Sequence, residues 1–396
     1  MRLQNLSKLG FQTAQYNMDK IGLYIHWPYC TRICPYCDFN IYKNKAGTET
    51  ALVQAILLDM LHWREMSGPR NLVSIHFGGG TPSLLSAANL QKFIKTAQEL
   101  WSPSNDLEIG LEANPKDINE KALAAWHRAG IERLSVGVQS FDDSALQFLG
   151  RDHDGQTARR ALELATNIIP RVSADLIYGF TNQTPDMLQN DLRTALTSGV
   201  SHISTYQLTI EQKTAFGQAE KRGINKAVDS DTSADLLEQT IDTMTANGFN
   251  QYEVSNFAKK NAQSRHNLLY WQGGDYAGIG PGAHGRLTVD GKRCATIAAL
   301  KPKDYIEAAG NTSHGIAEQE TLNAQAWAEE YLLMGMRISG GINLARYTEI
   351  SGQRLAPEII RQYEKSGLLK KMGNQLSATP KGRMVLDTLC HELLSY

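Results

Sequence analysis

Three of the five cysteines of this chain lie within one short segment, Cys30-Thr-Arg-Ile-Cys34-Pro-Tyr-Cys37. Three thiolates at this C-x3-C-x2-C spacing can bind three irons of a cubane 4Fe–4S cluster and leave the fourth iron open to a non-protein ligand. The alternatives are a zinc site, which normally needs a fourth Cys or His ligand nearby, and a chance grouping of small buried residues. The clustering favours the iron–sulfur interpretation over both alternatives.

Six short apolar runs alternate with segments long enough for a helix, which predicts parallel strands joined by right-handed crossovers. The runs cover residues 21–27, 72–77, 107–112, 132–138, 171–177 and 202–208. Either an open doubly wound sheet or an incomplete (β/α) barrel would fit this pattern. The cysteine loop, the triple glycine 78–80, Glu112, Gln139 and Asp175 stand at or just past the C-terminal ends of these runs. Barrel enzymes build their sites at that end, so we predict an α/β fold with a partial (β/α)6 TIM-like barrel.

The rest of the chain predicts smaller units around this barrel. We expect an N-terminal extension over residues 1–20 and the barrel over residues 21–215. A barrel-capping segment should follow over residues 216–315, and a mostly helical, winged-helix-like C-terminal module over residues 316–396. The last module contains a predicted hairpin and a final helix. Its stretch 301–396 holds eleven basic and eleven acidic residues. A DNA-binding face usually needs a basic excess, so we expect packing or partner docking here and no nucleic-acid binding.

The composition is that of an ordinary soluble protein, with 42% hydrophobic residues, 20% charged residues and a net charge of −1. No apolar run approaches the roughly 20 residues that cross a bilayer, and the N-terminus lacks the apolar core of a secretory signal. Thiolates that bind a cluster also suit a reducing compartment. These features predict a cytoplasmic protein. A weaker alternative, organellar targeting, rests on Arg2 and Lys8 with no acidic residue before Asp19.

The cysteine loop and the triple-glycine turn, each following a predicted strand, resemble the radical S-adenosylmethionine superfamily. In that superfamily the open iron binds S-adenosylmethionine, whose reductive cleavage yields a 5′-deoxyadenosyl radical. Four longer sequence segments resemble one branch of this superfamily, the oxygen-independent coproporphyrinogen III dehydrogenase family with its heme-chaperone relatives. They are Leu23–Cys30, His76–Ser83, Gly137–Phe141 and Asp175–Gly179. The likeness covers about residues 20 to 390 and implies a barrel of the radical S-adenosylmethionine type.

The same resemblance implies roles for particular residues. The cluster ligands would be Cys30, Cys34 and Cys37, with Tyr36 between the last two and Tyr24 packed at the cluster and its ligand. The residues implied for S-adenosylmethionine are Gly79, Gly80 and Thr81 at its methionine part, and Glu112, Gln139, Arg151 and Asp175 at its remaining polar groups.

Two of these residues carry a physical argument of their own. Glu112 and Asp175 end apolar strands, where an ionised carboxylate needs a partner to offset its desolvation. The ammonium group or ribose hydroxyls of a ligand could be that partner. A structural arginine, such as Arg133 or Arg151, could equally serve.

Two departures from the dehydrogenase favour its heme-chaperone relatives. The dehydrogenase branch has a further cysteine two positions after the third cluster cysteine, where this chain has Phe39. Only about twenty residues precede the first predicted strand, so we expect the N-terminal extension that braces the dehydrogenase to be missing. Coproporphyrinogen III dehydrogenation stays as the alternative function.

A motif in the second half of the chain supports the same branch. The segment Arg265-His266-Asn267-Leu-Leu-Tyr270-Trp271 resembles that branch's His-Asn-x-x-Tyr-Trp motif, in which the histidine is linked to heme binding. Imidazole is a good axial ligand for heme iron, and aromatic rings can cover a porphyrin face. Without the resemblance, His266 would be a hydrogen-bonded core or surface histidine. The nearby run 278–282 lacks dinucleotide-binding spacing, and we predict a tight loop near the open barrel end.

The ligands implied by the resemblance are therefore a 4Fe–4S cluster, S-adenosylmethionine and heme. The implied partners are heme-accepting proteins, such as respiratory-chain hemoproteins, and an electron donor for the cluster. A transient contact with membrane proteins and a cluster-linked dimer are further expectations.

Overall fold

The computed structural model describes residues 19–43 and 47–395. The predicted N-terminal extension, residues 1–20, lies outside the described residues except at its end, and so do Arg2 and Lys8. The boundaries of the four predicted units stay a prediction.

The strands of the described chain are numbered β1 to β17. They are β1 Lys20–Trp27, β2 Tyr29–Cys30, β3 Tyr42–Lys43, β4 Asn71–Gly79, β5 Ser102–Ala113, β6 Arg133–Gln139, β7 Arg171–Tyr178, β8 His202–Gln207, β9 Asn250–Glu253, β10 Asn256–Ala258, β11 Tyr276–Ile279, β12 His284–Val289, β13 Lys292–Ala298, β14 Ile316–Thr321, β15 Ile342–Asn343, β16 Leu369–Met372 and β17 Gln375–Ala378.

The helices are numbered α1 to α15. They are α1 Glu49–Ser67, α2 Ala87–Leu100, α3 Glu120–Ala129, α4 Asp143–Phe148, α5 Gly155–Ile168, α6 Pro185–Thr197, α7 Ala215–Glu220, α8 Ser230–Ala246, α9 Arg265–Trp271, α10 Pro302–Thr312, α11 Ala324–Gly335, α12 Leu344–Ser351, α13 Pro357–Lys365, α14 Pro380–Arg383 and α15 Leu386–Leu394. In the part of the chain that the structure describes, none of them combines the length and the apolar character that crossing a membrane requires.

Twelve strands form one sheet, in the order β14-β13-β12-β11-β1-β4-β5-β6-β7-β8-β10-β9. The central strands from β11 to β8 run parallel. The strands on either side of them pair antiparallel. All six predicted strands are confirmed as β1 and β4 to β8. The sheet starts at β14 and ends at β9, so it is an open, partial barrel of the kind predicted.

The helices that cover the sheet follow from their sequences, as α3 illustrates. The Asn119 side chain accepts a hydrogen bond from the Ala122 N–H group at the start of the helix, and Gly130 ends it in a left-handed conformation. Leu123 and Trp126 lie three residues apart and turn the apolar face to the sheet. The helix begins at Glu120, after a short 3-10 turn formed by Pro115–Asp117.

Parallel strand β11 was not predicted from the sequence. It pairs with β1, with Gly22 opposite Tyr276 and Ile25 opposite Ile279. Its four residues include a glycine and stand far from β1 in the chain, so they give little local strand signal.

The tight loop predicted over 278–282 is wrong for Gly278 and Ile279, which belong to β11, and the turn begins at Gly280. It lies beside the C-terminal end of β1, since a Cβ atom at Gly280 would clash with the His26 carbonyl oxygen. There the Asn40 side chain donates to the Pro281 carbonyl at 2.9 Å.

Side chains alternate in direction along the central strands and separate an apolar shell from a polar interior. In β1, Ile21, Leu23 and Ile25 belong to the main apolar core. The alternate residues Tyr24 and His26 face inward, where the Tyr24 hydroxyl lies 3.0 Å from Nδ1 of His26. The barrel interior is therefore lined by groups that can bind polar ligands.

The C-terminal module has an apolar core of its own and a small sheet with the order β15-β17-β16. The predicted hairpin is confirmed as β16 and β17. Polar contacts attach this module to the edge strand β9. Arg337 forms an ion pair of 2.6 Å with Glu253, and Arg383 donates to the Gln251 side chain at 3.0 Å.

Candidate functional site

A cavity of about 650 Å³ opens at the C-terminal ends of the parallel strands, and all three loop cysteines line it. Backbone hydrogen bonds fix the cysteine loop against the glycine turn. The Gly80 N–H group donates to the Trp27 carbonyl at 2.7 Å, and the Thr81 N–H group donates to the Tyr29 carbonyl at 2.9 Å. The cysteine loop and the glycine turn thus form one wall of the cavity.

The groups around the cysteines suit bound thiolates. A guanidinium nitrogen of Arg151 lies 3.4 Å from Sγ of Cys34, and another donates to the Gly137 carbonyl at 3.0 Å. Burial raises the pKa of the Cys30 and Cys37 thiols, that of Cys37 to about 11. Bound iron reverses this preference, because a metal ion stabilises the thiolate. The positive charge of Arg151 would further offset the negative charge of the Cys34 thiolate.

The three sulfur atoms do not need to converge on one point to bind a cluster. Within residues 19–43 and 47–395, no group of three or more His, Cys, Asp or Glu side chains is arranged around a single metal-ion position. A cubane cluster instead binds each thiolate to a different iron. Three thiols on one cavity wall, with a cation beside them, fit that requirement.

Glu112 and Asp175 line the same cavity, Glu112 next to the last residue of β5 and Asp175 three residues before the end of β7, so the predicted strand-end position is wrong for Asp175. Oε1 of Glu112 lies 3.1 Å from Nε2 of His76, and Oε2 accepts a hydrogen bond from the Gly79 N–H group at 3.2 Å. Asp175 accepts hydrogen bonds from Ser135 at 2.7 Å and Ser173 at 3.1 Å. The sequence left Arg133 and Arg151 open as partners, and the structure gives that role to histidine, serine and backbone groups.

The glycine turn brings backbone close to its neighbours. Gly79 has a φ of 108°, and a Cβ atom added there would lie 2.6–2.8 Å from the His26 ring. At Gly80, a Cβ atom would lie 2.8 Å from the Tyr29 carbonyl oxygen. Glycine is therefore required at both positions for packing, which also leaves backbone groups accessible to a ligand in the cavity.

Gln139 lies in a turn that another residue fixes. It is a non-glycine residue with a φ of 66°, at the point where β6 ends in the cavity wall. Asp191 of α6 accepts hydrogen bonds from the Ser140 hydroxyl and the Phe141 N–H group, both at 2.7 Å. These contacts hold the strained turn in place. Sequence reasoning missed Asp191, because it lies about fifty residues away in the chain and interacts only through the fold.

The two tyrosines of the predicted site lie in different places. Tyr36 lines the cavity beside the cysteines. Tyr24 is not among the cavity-lining residues; it stacks on His76 with ring centroids 6.4 Å apart. His76, which lines the cavity and contacts Glu112, was also missed as a site residue. Its inward position two residues before Gly78 on β4 was the signal that could have found it.

The motif histidine is enclosed in the barrel interior. His266 is 1% exposed and stacks on His76 with ring centroids 4.8 Å apart. Its Nδ1 lies 2.8 Å from the Ser74 hydroxyl, and its Nε2 is hydrogen-bonded to the Tyr270 hydroxyl. Burial, followed by the influence of His76, holds the pKa of His266 well below its usual range, so the imidazole is neutral. His266 itself does not line the cavity, but its neighbours Ser264 and Asn267 do.

Asp175 gives the site a measurable pH dependence. Burial raises its pKa from 3.8 to about 6, although hydrogen bonds from Ser135, Ser204 and Ser173 oppose the rise. Between about pH 4 and pH 6 the folded protein keeps a proton that the unfolded chain releases. The free energy of unfolding should therefore fall as pH rises through this window, by up to about 3 kcal/mol.

We expect Asp175→Asn to remove this contribution. Urea unfolding of the ligand-free protein from pH 4 to pH 7 would measure it, as the difference in slope between wild type and variant. The exposed Asp235→Asn is the matched control and should keep the wild-type slope. An Asp175→Asn slope equal to that of wild type would show that Asp175 ionises normally.

Known families match both parts of the chain. Residues 24–195 match the radical SAM superfamily, and residues 322–385 match the HemN C-terminal domain. The solved structure of coproporphyrinogen III oxidase HemN from Escherichia coli, described as a radical SAM enzyme, superposes with a TM-score of 0.79. The superposition covers 97% of this chain and 92% of HemN at 21% sequence identity, so it establishes the fold. Fold and cysteine site together define the class, a radical SAM protein, for which a 4Fe–4S cluster and S-adenosylmethionine are the implied ligands.

Proteins with similar sequences show to which family of radical SAM proteins this chain belongs. Radical S-adenosyl methionine domain-containing protein 1, a mitochondrial protein of Bos taurus, is 35% identical over 98% of this chain and 90% of its own length. The heme chaperone HemW of Escherichia coli is 33% identical over 96% of this chain and 99% of its own length. The chain belongs to the HemW family.

Proposed function

We propose that this protein is a heme chaperone that binds a 4Fe–4S cluster, S-adenosylmethionine and heme, and delivers heme to acceptor hemoproteins. Its similarity to HemW of Escherichia coli over almost the whole of both chains supports this function. The structural observation that carries the proposal is the position of the heme motif. Asn267, the residue after His266, lines the same cavity as Cys30, Cys34 and Cys37. A ligand at the cluster and a ligand at the motif would therefore be close neighbours.

The cavity residues are suited to the first two ligands. Cys30, Cys34 and Cys37 would bind three irons of the cluster, with Tyr36 and Tyr24 packed nearby. The residues proposed for S-adenosylmethionine are Gly79, Gly80, Thr81, Glu112, Gln139, Arg151 and Asp175. Among the described residues, Nε of Arg151 is buried and has no hydrogen-bond partner, which fits a side chain that contacts a bound ligand. The cluster, when bound, supplies an electron for chemistry on S-adenosylmethionine.

His266 is the proposed axial ligand of heme iron. A neutral imidazole is the form that binds a metal, and burial keeps His266 neutral. Tyr270 and Trp271, the aromatic residues of the same motif, would cover part of the porphyrin. One ring nitrogen of His266 must first lose its present partner, Ser74 or Tyr270.

The alternative function is oxygen-independent coproporphyrinogen III dehydrogenation. The likeness to HemN supports a common fold, and it does not extend to the dehydrogenase's additional cysteine. Phe39 occupies that position, is 61% exposed and lines the cavity. This residue and the HemW relatives both favour the chaperone.

Partners and location are also part of the proposal. We propose heme-accepting proteins, including respiratory-chain hemoproteins reached by transient contact with membrane proteins, and an electron donor for the cluster. We also propose a dimer linked through the cluster. The proposed location is the cytoplasm. The near-equal numbers of acidic and basic residues in the C-terminal module argue against nucleic acid as a partner.

Heme titration of the purified, cluster-loaded protein tests this function. We expect wild type to bind heme with a change in its visible spectrum, and His266→Ala to bind at least about tenfold more weakly, because an axial ligand is lost. His391→Ala, an exposed histidine on α15, is the matched control and should titrate like wild type.

Two results would count against the proposal. Identical spectra and affinities for wild type and His266→Ala would remove His266 from the heme site. Conversion of coproporphyrinogen III to protoporphyrinogen by the reconstituted protein, under anaerobic conditions with a reductant, would favour the dehydrogenase.

A further inference from the structure

Helix α9 lies against the barrel interior, where it makes aromatic, apolar and polar contacts. Its only buried residue is His266, and the others are exposed or half-buried. Leu268 packs against Tyr252, Ala258 and Ala262 but stays half-buried, and a short helix of mostly half-buried residues can detach at a lower free energy than the core helices. Yet with α9 in place, both nitrogens of His266 are engaged, so the imidazole cannot bind iron.

One buried carboxylate holds the start of α9. Glu108 of β5 is 1% exposed. Its Oε1 accepts a hydrogen bond from the His266 N–H group at 2.9 Å, and its Oε2 accepts one from the Arg265 N–H group at 3.1 Å. The first N–H groups of a helix have no partner within the helix, and a carboxylate both binds them and opposes the helix dipole.

The surroundings of Glu108 keep its charge in place. Arg171 lies 3.1 Å from Oε2, and Arg133 lies 4.0 Å from the same atom. Two arginines on neighbouring strands thus offset the desolvation of a fully buried carboxylate. The barrel therefore holds the Glu108 carboxylate in contact with the first turn of α9, which contains His266.

The other end of α9 contacts the C-terminal module. The guanidinium group of Arg337 lies 4.7 Å from the centre of the Trp271 ring and is paired with Glu253 of β9. At the same end, the Tyr270 ring lies 4.2 Å from the Tyr276 ring, measured between centroids. Helix α9 therefore joins the barrel interior to the C-terminal module, with a cation–π contact on the side of the module.

We propose that Glu108 is a positioning residue for the heme motif. It keeps α9 docked in a closed state, in which His266 is unavailable, and heme is captured after the start of α9 leaves Glu108. This inference rests on the proposed function, since it assigns a closed and an open state to the same heme site. It predicts that weakening the contact at Glu108 improves heme binding, because a larger fraction of the protein is then open.

Hydrogen exchange and heme titration of full-length, cluster-loaded variants would test the inference. Glu108→Gln removes the charge but keeps the size of the side chain. Glu108→Asp keeps the charge for Arg171 but shortens the reach to α9. We expect both variants to exchange the amide protons of residues 265–268 about tenfold faster than wild type in the absence of heme, and to bind heme about tenfold more tightly. Adding His266→Ala to either variant should abolish the gain.

The two measurements separate the two hypotheses. Unchanged amide exchange in α9 of Glu108→Asp would overturn the closed state held by Glu108, whatever the heme result. Faster exchange together with weaker heme binding would also overturn it, because Glu108 would then be shaping the heme site itself. If His266→Ala alone leaves heme binding unchanged, the proposed heme site fails instead. Exchange without heme still tests Glu108 in that case, and Glu108→Asp carries the test if Glu108→Gln does not fold.

Discussion

Cys30→Ala should lose the iron–sulfur cluster, whereas Cys294→Ala should keep it. Cys30 is one of three thiols on the cavity wall, while Cys294 lies on β13, outside the cysteine loop. Two remaining thiolates cannot replace the third, since each binds a different iron. We expect the iron content after anaerobic reconstitution to fall from about four per chain to near zero, together with the visible absorption.

The Cys294→Ala control shows whether loss of the cluster is specific to the cysteine loop. Cys294 is half-buried and its replacement leaves the three cluster thiols in place, so it controls for the loss of a cysteine elsewhere in the fold. Circular dichroism should show a folded protein in both variants. A complete 4Fe–4S spectrum in Cys30→Ala would contradict the assignment of this loop as the cluster site.

Gly79→Ala should destabilise the protein by about 3 kcal/mol or more, because two effects add at this position. A φ of 108° strains any residue with a Cβ atom, which accounts for about 1–3 kcal/mol. The new methyl group would also lie 2.6 Å from the His26 ring. That ring cannot move freely, since Nδ1 lies 3.0 Å from the Tyr24 hydroxyl and Nε2 lies 3.0 Å from the Asn40 carbonyl.

Gly248→Ala separates these two effects. Gly248 has a φ of 79°, but a Cβ atom there would have no neighbour within 4 Å in the part of the chain that the structure describes. Its replacement should therefore show the backbone strain alone, about 1–2 kcal/mol. Urea unfolding of both variants gives the comparison, and binding of S-adenosylmethionine should be lost in Gly79→Ala only. Equal losses of stability would mean that the contact with His26 does not restrict position 79.

The strand pattern illustrates how far local sequence predicts the fold. Apolar or β-branched runs of six or seven residues predicted the six barrel strands β1 and β4 to β8, because parallel strands covered by helices bury most of their side chains. The amino-acid sequence did not predict strand β11. Its pairing with β1 joins residues about 250 positions apart, and no local pattern encodes that partner.

Local sequence also failed to predict the hydrogen-bond partners of the two carboxylates in the site. The predicted place of these carboxylates at strand ends indicated that Glu112 and Asp175 would face one cavity. Their partners, His76 and several serines, depend on which strands become neighbours. Arginines were reasonable candidates from charge alone, but Arg151 lies against Cys34, and Arg133 lies near Glu108.

The amino-acid sequence by itself determined the chemistry of this protein. Cysteine spacing and the triple glycine depend on covalent distances and backbone freedom, which are local properties, and they indicated a cluster with an open iron. Only the tertiary structure decided the state of the heme motif. His266 is enclosed between Ser74, Tyr270 and His76, and Glu108 holds the start of its helix. Those contacts join three separate segments of the chain, β4, β5 and α9, so they exist only once the barrel has formed.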